Sequence, residues 1–219
     1  MQRLIKHHRC DAVRNSMIAH KLFLFATEGQ NITYEYHWIE RDEVYRSTIL
    51  TALHADLIVM GTPPPNFISG IWSLKSILSK AELPVIVVPP LWVKKEPPNR
   101  ILAGWNGSSI PRQLITGLLL LLADSVSIDL IANDRSGKIA GEQPGGDLAL
   151  YMARHGAKVS VQMPTGYVRS SSLFGMAEHH NFDLVAFAAS RLSWIDAFPF
   201  GIGQPYLSAA AKVPFLIVP

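Results

Sequence analysis

The sequence predicts an α/β protein whose parallel sheet is covered by helices on both faces. Short apolar runs typical of buried strands alternate along the chain with longer segments typical of amphipathic helices. Strands that are apolar on both faces belong in a parallel sheet that is buried on both sides. Much of this pattern occurs twice, which indicates an internal repeat.

The second half of the chain contains the complete pattern. Pro111 suits the first turn of a helix, where no amide donor is needed, and Gly156 suits a position just after a helix. The predicted strands are 100–106, 126–132, 158–163, 183–188 and 215–218, and the predicted helices are 109–123, 143–155, 170–180 and 204–211. This alternation predicts a five-stranded doubly wound domain.

The repeat is visible in two pairs of strand sequences. Residues 55–61 (ADLIVMG) resemble residues 182–188 (FDLVAFA) at an offset of 127 positions (183 minus 56). Residues 84–89 (PVIVVP) resemble residues 214–219 (PFLIVP) at an offset of 130 (214 minus 84). The second copy therefore holds about three more residues between these two strands than the first copy does.

The first half of the chain carries only part of the pattern. Its predicted helices are 16–28, 43–54 and 73–81, and its predicted strands are 32–39, 56–61 and 85–88. At the offset of 127, Met1 corresponds to Ile128, so residues 100–127 have no counterpart here. The segment 3–5 is either a remnant of the second strand or the beginning of a helix. The explanation we favour for the missing part is a misassigned start codon or a gene fragment.

The boundary between the copies is predicted at a charged segment with paired prolines. Residues 91–99 (LWVKKEPPN) have the composition of a short, stiff linker. We therefore predict a partial repeat over 1–90 and a complete repeat over 100–219.

The last strand of each copy is apolar and would lie at the edge of its own sheet. Open apolar edge strands promote aggregation, so both strands are expected to be covered. We predict that residues 85–88 and 215–218 pair with each other in a pseudo-dimer of the two repeats, or with another chain in a homodimer.

Composition argues against several classes of protein. A hydrophobic content of 48% and a net charge of +3 argue against disorder, and the scattered Lys and Arg residues predict no nucleic-acid partner. No signal-peptide core follows the N-terminus, and the apolar run 118–123 falls short of the roughly 20 residues that span a bilayer. The single cysteine, Cys10, fits a reducing compartment. We expect a cytoplasmic protein with no membrane partner.

The strand sequences resemble those of the universal stress protein (UspA) family. Residues 55–61, followed by a loop, a helix and residues 83–89, are similar to the carboxyl-terminal half of such a domain, and residues 101–108 (ILAGWNGS) to its opening strand and turn. The resemblance implies a flavodoxin-like, HUP-type sheet with strand order 3-2-1-4-5 that dimerises through its fifth strand. It also implies a role in stress response, in a tandem-domain chain whose first repeat is incomplete.

Some members of the family bind ATP through a loop after the fourth strand. That loop carries Gly-x-x-Gly, then nine residues, then Gly and Ser or Thr, because glycines let backbone amides approach phosphates. In the first copy Gly61 is retained, but Pro64, Leu74 and Lys75 occupy the other positions. The prolines at 63–65 also remove amide donors from the loop.

The second copy keeps more of this loop. Gly201 matches the third glycine, whereas Ala188, Arg191 and Ile202 stand at the other positions, and Asn106 stands where the family has an acidic residue. By resemblance, the candidate nucleotide-binding residues are Asn106, Gly107, Ser108, Ala188, Arg191, Gly201 and Ile202.

The function predicted from these residues is a non-catalytic regulatory or stress-response module with degenerate nucleotide loops and no cofactor. The alternative is binding of ATP or AMP by the second repeat. Neither His7-His8 nor His179-His180 has metal-ligand spacing, and Ser108 or Ser109 suits a helix N-cap better than a nucleophile. We therefore predict no catalytic and no metal-binding residues.

Two further features have a structural interpretation. Asp56 and Asp183 precede corresponding strands, and we interpret them as turn or cap residues. The aromatic residues Trp194, Phe198 and Phe200 are expected to fold over the sheet or against the first copy, with a small apolar ligand site as the alternative.

Overall fold

The computed structural model of the protein divides into two compact units, Met1–Ser47 and Thr48–Pro219. It describes residues 2–37, 54–62, 83–93, 96–105, 114–115, 117–118, 126–132, 145–164, 168, 170–188 and 211–219.

The second unit is built on a seven-stranded sheet. The strands are β1 (Ile58–Gly61), β2 (Val85–Val88), β3 (Arg100–Trp105), β4 (Ser127–Ala132), β5 (Lys158–Gln162), β6 (Leu184–Ala188) and β7 (Phe215–Val218). They lie in the order β1-β2-β7-β6-β3-β4-β5, and every neighbouring pair is parallel except β2 with β7. Numbered along the chain from β3 and read from β5, the last five strands lie in the order 3-2-1-4-5.

Each face of this sheet carries a buried core. Alternate residues of β3 belong to different cores, with Leu102 on one face and Ile101 on the other. Helix α3 (Ser170–His179) contributes Leu173 to the first core. Helix α2 (Gly146–Arg154) contributes Met152 to the second core, which also contains the helical residues Leu114, Ile115 and Leu118. The predicted class, an α/β fold with a mostly parallel sheet, is confirmed.

Strands β2 and β7 form an antiparallel pair in the interior of the sheet, which we call the seam. Ile86 lies opposite Leu216 at its centre, and Val85 lies opposite Ile217. These residues are all buried. The predicted pairing of residues 85–88 with residues 215–218 is confirmed, and both strands are thereby covered.

The strands outside the seam have matching registers. Ile58 of β1 pairs with Val85, and Val185 of β6 pairs with Phe215. These pairs are related by the sequence offsets of 127 (185 minus 58) and 130 (215 minus 85). The amides of Ile58 and Val185 each donate to the carbonyl of the proline that precedes the neighbouring strand, at 2.9 and 3.0 Å.

The first unit contains helix α1 (Gln2–Thr27) and an extended segment that follows it. The helix begins well before the predicted residue 16 and includes residues 3–5, so that segment is helical. Gly29 follows α1 with φ +75°, as Gly156 follows α2 with φ +92°. A left-handed glycine commonly ends a helix because it carries no Cβ.

The strand predicted over 32–39 is wrong for its described part, because residues 30–37 contain no strand. The segment lies along α1 instead. The ring of Tyr36 stacks on His20 with centroids 4.1 Å apart, its hydroxyl donates to the carbonyl of Ser16 at 3.3 Å, and Tyr34 meets Phe23 edge-on. A strand needs a hydrogen-bonded neighbour. Strand β5, which corresponds to this segment, pairs with β4. In the first copy, the residues that correspond to the end of β4 belong to helix α1, so they offer no strand to pair with.

The other predicted strands agree with the structure to within one or two residues at their ends. The predicted helices over 43–54, 73–81 and 204–211 lie almost wholly outside the described residues. Within the part of the chain that is described, no helix is long and apolar enough to cross a bilayer.

Candidate functional site

The candidate site is the edge of the sheet where β3 and β6 end. The two strands are adjacent and parallel, so the loops that follow Trp105 and Ala188 begin side by side. From β3 the chain continues to β4 on one side, whereas from β6 it continues to β7 on the other. Doubly wound sheets bind ligands at the carboxyl edge where the connections diverge in this way.

Most of the predicted site residues lie beyond the described strands. Asn106, Gly107, Ser108, Arg191, Gly201 and Ile202 lie outside the described residues, as do Pro64, Leu74, Lys75, Trp194, Phe198 and Phe200. Ala188 is the last residue of β6 and pairs with Val218, and Gly61 is the last residue of β1 and pairs with Val88. The loops after β3 and β6 therefore start side by side, and the nucleotide contacts stay a prediction.

The residues next to the ends of β3 and β6 are apolar and tightly packed. A Cβ atom on Gly104 would lie 2.7 Å from the Cδ1 atom of Leu173, so β3 and α3 approach as closely as a glycine allows. Beneath it, Phe174 of α3 meets the rings of Phe187 and Phe215 edge-on, at centroid distances of 6.1 and 5.3 Å. These contacts fix the direction in which β3 and β6 present their loops.

At the opposite edge, Asp183 joins the beginnings of β6 and β3. Its side chain is only 9% exposed, and its Oδ2 atom accepts hydrogen bonds from the amides of Asn99 and Arg100, each at 3.0 Å. The Asp183 amide in turn donates to the Arg100 carbonyl at 2.8 Å. The interpretation of Asp183 as a turn or cap residue stays a prediction, and the structure adds that its carboxylate binds a different strand. A carboxylate that accepts amides forms strong, directional hydrogen bonds.

Arg100 completes this junction. Its guanidinium donates to the carbonyl of His180 at 2.9 Å and lies over the ring of Phe182, 4.8 Å from the centroid. The position of β3 beside β6 is thus fixed by main-chain and side-chain contacts. The available sequence signal was the recurrence of aspartate at positions 56 and 183.

Asp56 occupies the corresponding position before β1. It is exposed, and no described residue hydrogen-bonds to its carboxylate. The two aspartates share a place in the sequence pattern but differ in their surroundings.

The described residues contain no group of three His, Cys, Asp or Glu side chains that would hold a metal ion. His179 and His180 are exposed at the end of α3, with their ring centroids 4.8 Å apart. A structural metal site generally needs more ligands than such a pair.

Comparison with known proteins gives a likeness of fold. No protein-family model matches the chain, and no curated protein sequence matches it. The structure is similar to that of a universal stress protein from Archaeoglobus fulgidus, with a TM-score of 0.55, 14% identity and 80% of this chain covered. The chain spans 64% of that protein's length. A functionally unknown protein from Pseudomonas aeruginosa gives a TM-score of 0.46, with 13% identity, 94% of this chain and 77% of that chain covered. The fold is therefore like that of a universal stress protein.

Proposed function

We propose that the protein is a non-catalytic regulatory module of the universal stress type, in which two repeats are joined through their last strands. The observation that carries the proposal is the seam. Ile86 and Leu216, which correspond at the offset of 130, face each other at its centre. The pairs on either side are reciprocal. Where one residue of β2 faces the counterpart of a second residue of β2, that second residue faces the counterpart of the first, as in an interface between identical subunits.

The matching registers outside the seam support a division into two repeats. β1 lies beside β2 as β6 lies beside β7, with the same pairs of corresponding residues in contact. This is the arrangement expected for a partial repeat over 1–90, a linker over 91–99 and a complete repeat over 100–219. Leu91 and Val93 are exposed, as suits a linker, whereas Trp92 packs against the core.

A regulatory rather than an enzymatic role is supported by the residues at the two loops. The first loop carries Pro64 and Lys75 where nucleotide-binding members have glycine and a hydroxyl residue, and the second carries Ile202 at the hydroxyl position. A module of this kind acts by presenting surfaces whose state or partners change. A cytoplasmic location belongs to the proposal and is supported by the single cysteine.

Because β2 and β7 pair within one chain, a homodimer through the same strands would require both to exchange partners. We therefore propose the intramolecular pseudo-dimer as the working form. Each strand is apolar and buried, so separating the two would expose a large apolar surface to water.

The second candidate is adenine-nucleotide binding by the second repeat. It is favoured by the adjacency of β3 and β6, because the loops of Asn106, Ser108, Arg191 and Gly201 begin at the divergence point of the sheet. In this alternative Arg191 would pair with a phosphate, and backbone amides near Gly201 would supply further donors.

A titration of the full chain with ATP and AMP separates the two candidates. For a non-binding module we expect no heat of binding and no rise in melting temperature at millimolar ligand, because a ligand stabilises the folded state only by binding it. Inorganic tripolyphosphate serves as a control for simple anion binding. A saturable shift with ATP that Arg191→Ala removes and tripolyphosphate does not reproduce would establish the second candidate instead.

A further inference from the structure

Strand β1 is the terminal strand of the described sheet, and one of its two sides, which we call the open edge, has no described neighbour. The amides of Ile58 and Thr62 donate towards β2, to the carbonyls of Pro84 at 2.9 Å and Val88 at 3.0 Å. Because successive residues of a strand direct their main-chain groups to opposite sides, the amides of Val59 and Gly61 point away from β2. No described residue pairs with them.

The same position in the other half of the sheet is filled. β6 has β3 on the side that is open in β1, with Ala103 opposite Ala186. Ala186, the counterpart of Val59, is 0% exposed and belongs to the core that contains the helical residues Leu114 and Leu118, whereas Val59 is 63% exposed.

The open edge also carries an unused counterpart of the Asp183 junction. Asp183 accepts the amides of Asn99 and Arg100, the residues at which β3 begins. Asp56 precedes β1 as Asp183 precedes β6, and its exposed carboxylate has no described hydrogen-bond partner. A carboxylate at this position is suited to accept the first amides of a strand that runs parallel to β1.

We propose that the open edge of β1, together with Asp56, is a docking site for a β-strand of another polypeptide, which adds parallel to β1 in the register by which β3 adds to β6. The proposal goes beyond the regulatory function and does not depend on it. In this register the strand's first two amides meet Asp56, and its next four residues lie opposite Leu57, Ile58, Val59 and Met60. The guest is an apolar strand with small residues opposite Val59 and Met60, as Ala103 and Gly104 stand opposite Ala186 and Phe187.

The position of Asp56 selects a parallel guest over a second copy of β1. Two copies of β1 related by a twofold axis would pair antiparallel, so the first amides of neither strand would reach the partner's Asp56. The chain's own β3 is paired on both sides, with β4 and β6. Strand addition of this kind gains affinity from main-chain hydrogen bonds and specificity from alternate side chains.

The short edge of β1 carries none of the side chains that usually prevent such pairing. β1 itself contains no lysine, no proline and no inward-pointing charge. Prolines follow only after Thr62, at positions 63–65, where they limit the length of the edge to that of β1.

The test uses the full-length protein and a fluorescent peptide with the sequence of residues 97–106, which contains β3 and the two residues whose amides bind Asp183. Fluorescence anisotropy is expected to show saturable binding. Asp56→Ala removes the acceptor of two amides, and Val59→Pro removes an outward amide while leaving the bonds to β2. Each is expected to weaken binding about tenfold or more, the effect of losing a charge-assisted hydrogen bond.

A second peptide, N-methylated at the positions of Asn99 and Arg100, tests the register. It is expected to bind the wild-type protein about tenfold or more weakly than the first peptide, and to bind Asp56→Ala with the same affinity as the first peptide. This loss of additivity is the signature of a direct contact. Asp147→Ala, which removes an exposed carboxylate from the first turn of α2, is expected to leave binding unchanged.

Amide exchange locates the peptide. The amides of Val59 and Gly61 are expected to exchange rapidly in the free protein and slowly with peptide bound. Absence of binding, binding that is indifferent to Asp56→Ala and peptide methylation, or slow exchange of both amides without peptide would each overturn the proposal. If Val59→Pro fails to fold by circular dichroism, Asp56→Ala and the methylated peptide still decide the question.

Discussion

Two pairs of strands, β1 with β2 and β6 with β7, have the same internal register but different neighbours. In both pairs an amide near the start of β1 or β6 donates to a proline carbonyl, and an aspartate precedes the strand. On the side away from β7, β6 has β3, whereas no described strand lies on the side of β1 away from β2. Val59 is consequently exposed where Ala186 is buried. The register within a strand pair is thus the same in both halves, while burial is decided by what lies next to the pair.

The largest difference is expected at the corresponding residues Phe187 and Met60. Phe187 is buried between the aromatic rings of Phe174 and Phe215, so Phe187→Ala should reduce the free energy of unfolding by about 3–5 kcal/mol. Met60 is only partly buried, and Met60→Ala should cost less than about 2 kcal/mol. Urea denaturation followed by circular dichroism measures both values. Equal losses would contradict the difference between the two halves.

At the seam the two halves should behave alike. Ile86 and Leu216 face each other and are both buried in the same core, so Ile86→Ala and Leu216→Ala should each cost about 2–4 kcal/mol. The two losses should differ by less than about 1 kcal/mol, the usual scatter between similar sites. The same denaturation measurements apply. A small loss of unfolding free energy for only one of the two variants would contradict the equivalence of β2 and β7 at the seam.

The smallest losses of stability are expected at the two aspartates. Asp183→Ala leaves two strand-opening amides without their acceptor and should cost about 1–3 kcal/mol. Asp56→Ala removes an exposed side chain and should change stability by no more than about 0.5 kcal/mol. Asp183→Asn, which keeps an oxygen acceptor, is the matched control and should lose less than Asp183→Ala. Thermal unfolding measures these changes in stability. A clear loss of stability in Asp56→Ala would show that the Asp56 side chain already has a contact in the free protein.

The strands of the second unit could be predicted from sequence because their residues are apolar on both faces. For 85–88 and 215–218 even the partner was predictable, since two apolar edges in one chain satisfy each other by pairing. The segment 32–39 has an equally strand-like composition, yet its described part is not a strand. Strand formation depends on a neighbour that local sequence does not encode, and here Tyr36 stacks on a helix instead.

The candidate site was less predictable than the fold. The resemblance identified the loops after β3 and β6, and the sheet places their starts together. The roles of Asn106 and Arg191 stay predictions, because they depend on loop conformations that lie outside the described residues. The role of Asp183 was missed, since a short polar residue before a strand favours a local turn in sequence terms. Only the tertiary pairing of β3 with β6 gives its carboxylate a partner.

The antiparallel seam reverses the strand direction between the second and third strands of an otherwise parallel sheet. The carboxyl ends of β1 and β2 therefore point to one edge, and those of β6 and β3 to the opposite edge. Whatever binds after β1 and whatever binds after β6 would approach the sheet from opposite poles, without sharing a cleft. Two such ligands could not compete by collision. The two strand pairs are connected by the hydrogen bonds that join Val85–Val87 to Phe215–Ile217 and by the apolar cores that contain both β2 and β7.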